Sequence, residues 1–180
     1  MDKVPETNEL KFRIFSEQLF TRTRLVSDSQ DKVLYAIKHK STLSRKHLED
    51  HETGQVFWCL KGCWGFVNEV DFVSVKLNRK WHLGGDHFHF EYDAVPYKWV
   101  PKSRWSKFSY QCFHRDSDEL VAEFKYKHFS KTFGNVTIYP KENWPIRLTE
   151  FLIFSVMRIV EVQLREDRSS GGGGGGGDGG

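Results

Sequence analysis

Cysteine is scarce in this chain, and the little present cannot build a disulfide framework. Cys59, Cys63 and Cys112 are an odd number, so at least one thiol lacks a partner, as suits a reducing, cytoplasmic compartment. Cys59 and Cys63 form a C-x3-C spacing with no second ligand pair nearby, which argues against a structural zinc site. Methionine is limited to 2 residues and alanine is also sparse, unlike the usual make-up of an all-helical bundle. No charge sign dominates: 27 Lys and Arg stand against 24 Asp and Glu, a net of +3. A dedicated nucleic-acid binder concentrates basic residues on one face, so no nucleic-acid partner is expected. Met1 to Leu10 is polar and acidic, without the apolar stretch of a secretory leader. No G-x-S-x-G elbow and no P-loop occurs, so no local signature announces a nucleophile or a phosphate cradle.

What is present is aromatic surface: 15 Phe, 6 Trp and 6 Tyr, 15% of 180 residues. Such side chains fill sheet faces and barrel interiors. The length suits one domain with a sizeable core. Period-two alternation recurs. Val33, Tyr35 and Ile37 share a face, as do Val73, Val75 and Leu77. Phe88, Phe90 and Tyr92 alternate with polar neighbours, and Ala122, Phe124 and Tyr126 alternate with Val121, Glu123, Lys125 and Lys127. Each such run reads as a strand with one buried side. Breaks at residues 51–54, 84–85 and 115–118 fit hairpin connections.

After Tyr139 the period changes. Between Ile146 and Arg165 the polar residues Arg147, Glu150, Arg158, Glu161 and Arg165 form one narrow stripe, and almost everything else is apolar. Asn143 is placed to cap this helix, with Pro145 in its first turn. Pairs Arg158–Glu161 and Glu161–Arg165 are expected along the stripe. A helix apolar over most of its girth must be surrounded. Its longest unbroken apolar run is only Phe151 to Phe154, and each central charge costs about 2.5–3.5 kcal/mol in lipid. The chain is therefore not expected to be transmembrane. The predicted fold is mainly β: an antiparallel β-barrel of roughly 10–12 strands closed around an apolar C-terminal helix over about 145–166. The expected organisation is a polar segment 1–9, a barrel domain 10–168, and a disordered glycine-rich tail 169–180.

The same residues carry a family resemblance. Tyr97-Lys98-Trp99, the run Asp118 to Phe124, the strand Val136-Thr137-Ile138-Tyr139, and Leu148-Thr149-Glu150 followed by the apolar run to Glu161 together resemble the tubby C-terminal-like superfamily. The match is closest to a fungal domain-of-unknown-function branch. Tubby-like, phospholipid scramblase and LURP-one-related proteins share the fold. The resemblance implies a β-barrel around a buried helix. It also implies a binding module rather than an enzyme, with anionic phospholipid or phosphoinositide as a ligand class, and no cofactor.

Two constellations follow from the residues themselves. Lys98, Lys102, Arg104 and Lys107 gather beside Trp99 and Trp105, and Lys38, His39, Lys40, Arg45, Lys46 and His47 form an earlier basic group. Basic residues beside amphipathic rings suit an anionic membrane surface, placing the protein in the cytoplasm with a peripheral membrane location. Protein partners are the other expectation. The second constellation is His87, His89, Glu91 and Asp93, which an extended strand would project to one side. His-x-His with a carboxylate can hold a divalent metal and partly resembles the cupin metal motif. The alternative function is thus a small metal-dependent β-barrel enzyme.

Overall fold

The computed structural model of the chain describes residues 8–17, 23–40, 45–103, 108–128 and 131–170. Among the described residues, thirteen strands and one helix follow in order: β1 (Leu10–Phe15), β2 (Arg24–Ser27), β3 (Val33–Lys40), β4 (Arg45–Asp50), β5 (Val56–Lys61), β6 (Gly65–Asn68), β7 (Ser74–Lys76), β8 (Asn78–Lys80), β9 (His87–Tyr92), β10 (Val95–Pro101), β11 (Tyr110–His114), β12 (Leu120–Tyr126), β13 (Thr132–Ile138) and α1 (Ile146–Ser170). All strand pairs are antiparallel. Neighbours in sequence are neighbours in the sheet, except that β7 and β8 lie at opposite edges and β13 returns to β1, with Leu10 opposite Ile138.

The sheet order ends at β7 on one edge and β8 on the other. Only Leu77 separates these two strands in the chain. They are two halves of one extended segment: Val75 pairs with Phe66 of β6, and Arg79 pairs with Phe88 of β9. The Leu77 N–H donates to the Trp64 carbonyl at 2.9 Å. The chain itself thereby spans the two edges, and the sheet becomes a near-closed barrel with little unpaired edge left to recruit another strand. Counting the two halves as one gives twelve strands, the top of the range that the turn spacing predicts.

Most of the alternating residues face inward as the period-two pattern requires, whereas Val73, just before β7, is 39% exposed. Trp58, Phe66, Phe88, Trp99 and Phe124 are fully buried and meet Phe151, Phe154, Val156 and Ile159 of α1. Phe151 is central, with ring centroids 5.3 Å from Trp58, 5.3 Å from Phe66 and 5.0 Å from Phe90. The helix is the core of the barrel, as its apolar girth predicts. Its polar stripe is used differently from the expected pairing along the helix. Glu161 meets Lys46 from β4, Arg158 donates to the Cys63 carbonyl at 3.1 Å, and Arg147 joins Glu150 at 2.7 Å.

The helix start also differs from expectation. Asn143 has φ +59°, a left-handed turn rather than the extended conformation of a capping residue. The Pro145 carbonyl accepts from the Leu148 N–H at 3.1 Å, so proline stands at the cap, just before the first helical residue. Because the sheet is an up-and-down meander, its connections fall at two opposite ends. Arg147 reaches Asp71, 3.6 Å away, so the helix starts near the β6–β7 turn. Glu166 reaches Arg79, so the helix finishes near the β8–β9 loop.

Candidate functional site

The β8–β9 loop, residues 81–86, begins where β8 leaves the sheet and folds back at Gly84-Gly85. Gly85 has φ +116°, and an added Cβ would stand 2.8 Å from the Pro101 Cγ, so glycine is needed for the loop to lie on the end of β10. Arg79 anchors the loop to the helix. Its guanidinium donates to Asp86 Oδ2 at 2.7 Å and, through both terminal nitrogens, to the two Glu166 oxygens at 2.7 Å each. Gln163 Nε2 adds a bond to Asp86 Oδ2 at 3.2 Å. Such forked arginine–carboxylate contacts fix orientation as well as proximity.

This anchored loop presents three side chains of interest. Trp81 is 76% exposed and Leu83 84% exposed. Between them, His82 stacks on His87 with ring centroids 3.9 Å apart. His87 and His89 alternate outward from β9 while Phe88 and Phe90 point into the core. His82, His87 and His89 thus form one group, whose potential ligand atoms all lie within 4.8 Å of one another. Burial pushes the His87 and His89 imidazoles below their ordinary value. Nearby His82 and Lys98 add to this for His87, and Lys80 and His87 for His89. Glu91 remains exposed further along β9, and Asp93 sits in the next turn with φ +50°. Neither carboxylate belongs to the histidine group. Strand alternation cannot place His82, a loop residue; the Gly84-Gly85 reversal is the sequence signal that folds it back towards β9.

The basic constellation is partly neutralised. Lys98 Nζ bonds Asp118 Oδ1 at 2.5 Å, and Lys102 Nζ bonds Glu123 Oε1 at 2.5 Å. Burial opposes charge on Glu123, but the Lys102 and Lys125 ammonium groups outweigh it and hold the carboxyl below its ordinary value. Arg104, Trp105 and Lys107 lie outside the described residues. The expectation that Trp99 rests at a membrane interface is corrected: it is fully buried, and its indole N–H donates to Ser155 Oγ at 3.1 Å. In the earlier basic group, Lys46 points into the barrel, while Lys38 and His47 both meet Glu49. A surface groove of about 480 Å³ runs between the β8–β9 loop and β10, walled by His87, Lys98, Val100 and Phe113.

The fold is shared with a plant protein. The X-ray structure of an Arabidopsis thaliana protein matches with a TM-score of 0.60 at 14% identity, covering 86% of this chain and 91% of that one. At that identity the likeness establishes fold alone, and it fits the tubby-like barrel expected from the sequence. No protein-family model matches the chain, and no curated protein does. Among the described residues, no helix is long and apolar enough to cross a membrane.

Proposed function

We propose that this protein is a non-enzymatic binding module of the tubby-like kind, on its fungal branch, that docks end-on to an anionic membrane surface. The observation that carries the reading is the pair Trp81 and Leu83, two large apolar side chains in water on a loop held rigid by Arg79. Indole and leucine side chains gain by entering the headgroup boundary, and tryptophan favours that depth. The exposed Lys80 precedes the pair, and Arg165 and Arg168 of the last helical turns are exposed at the same end. The barrel interior, where other barrels hold ligands, is filled by α1 and aromatic side chains, which favours recognition on the outside.

The test is co-sedimentation with vesicles of phosphatidylcholine, with and without phosphatidylserine and phosphoinositide, across a salt series. Binding should require the anionic lipid and weaken as salt screens the charges. Trp81→Ala combined with Leu83→Ala should abolish most of it while leaving the melting temperature unchanged. Equal binding to neutral and anionic vesicles, or full binding by the double variant, would refute the reading.

A further inference from the structure

We propose that His82, His87 and His89 form a binding site for one divalent first-row transition-metal ion, held by three imidazole nitrogens with an open coordination position. The proposal is independent of membrane docking.

The chemistry of the donors comes first. Imidazole is a good ligand for zinc, copper, nickel and cobalt, whereas magnesium and calcium prefer oxygen. Three histidines with a free fourth position are a familiar arrangement for zinc. The geometry is close to what such an ion needs. Donor nitrogens around a four-coordinate ion with bonds of 2.0–2.1 Å stand about 3.3 Å apart. Here the potential donors already lie within 4.8 Å of one another. Rotation of the rings about their side-chain bonds closes the difference, because His87 and His89 are fixed on one strand and His82 already stacks against His87.

The second observation is an unsatisfied group. Both ring nitrogens of His89 are buried, and neither has a hydrogen-bond partner. Burying a polar nitrogen without a partner is costly, and coordination would satisfy one of the two. The loop that brings in His82 is itself held in place, since Asp86 is fixed by Arg79 and Gln163. This preorganisation of a loop ligand is what a metal site needs. His87 also walls the groove beside Lys98, so an incoming ligand could approach the ion from that side.

The protein is treated with chelator, dialysed, and titrated with zinc by calorimetry; cobalt(II) is titrated in parallel and followed by visible absorption. One equivalent of zinc should bind, and cobalt should give the intense absorption of a four-coordinate site. Magnesium and calcium should not bind. His82→Ala should weaken zinc at least tenfold and remove the cobalt band. His87→Ala with His89→Ala should abolish both, with an unchanged circular dichroism spectrum. Glu91→Gln and Asp93→Asn should bind zinc as the parent does. Absence of stoichiometric zinc binding, or binding unaffected by His82→Ala, would overturn the proposal. A tenfold loss in Glu91→Gln or Asp93→Asn would overturn the assigned ligand set.

Discussion

Ser155 and Trp99 solve one problem for each other. An indole buried this deeply has an N–H that must find an acceptor, and a serine in the middle of an apolar helix must justify its hydroxyl. The Trp99 N–H donates to Ser155 Oγ at 3.1 Å, and that hydroxyl in turn donates to the Leu152 carbonyl at 3.1 Å. Ser155→Ala leaves the indole donor unpaired in the core and should cost about 1–3 kcal/mol, read from urea unfolding. Lys46 is a different case. It shares the core face of β4 with Leu48 and meets Glu161, where alternation alone predicts an apolar residue. Burial, then Arg158, Arg165 and Arg24, push its ammonium down to about 7 from 10.5. Below pH 7 folded and unfolded chains both carry the proton, and the burial penalty is complete. Between 7 and 10.5 the unfolded chain binds more protons, so stability rises with pH, by up to about 1.4 kcal/mol per unit. Lys46→Met should remove that rise between pH 7 and 9. An identical slope in the variant would show that the lysine carries its charge in the folded barrel throughout this range.

At the scale of elements, the sequence was legible wherever a period ran long enough to be counted. β9 alternates over six residues, the apolar and polar residues of β12 alternate from Ala122 to Tyr126, and α1 is apolar round most of its girth. The alternation of Val75 and Leu77 marks β7, but β8 is three exposed polar residues with no apolar period, so the continuation of this segment to the opposite edge was not legible. The candidate site divides in the same way. His87 and His89 were readable because they sit on a strand, whereas His82 depends on how a glycine turn folds back. Trp99 stood beside lysines in sequence, but its register opposite Phe88 and Cys112 turns it inward. Phe151 shows how helix and sheet depend on each other. Its ring meets β5, β6 and β9 at once, so Phe151→Ala should cost about 3–5 kcal/mol through lost burial and a cavity. Phe151→Leu should recover most of that. A loss below 1 kcal/mol for the alanine variant in thermal and urea unfolding would mean the helix does not bear the core.

The whole molecule depends on a closure that no single hydrogen-bonded ladder provides. The meander from β1 to β7 and the meander from β8 to β13 meet through β13 and β1 on one side, and through the segment 74–80 on the other. Leu77 is 1% exposed at the joint, with its N–H committed to Trp64, so the joint is a packed part of the core rather than a spacer. Loop length alone is a weak lever on stability, since each doubling adds only about 0.6 kcal/mol of closure entropy. Four glycines inserted after Thr53, at the exposed tip of the β4–β5 hairpin, should therefore shift the urea midpoint very little. The same four glycines inserted after Leu77 would let β7 and β8 move independently, open the seam between β6 and β9, and admit water beside Phe66 and Phe88. That variant should lose several kcal/mol, or unfold in two steps instead of one. Equal midpoints for the two insertions would mean that the barrel is held shut by the helix alone and not by the strand shared between its edges.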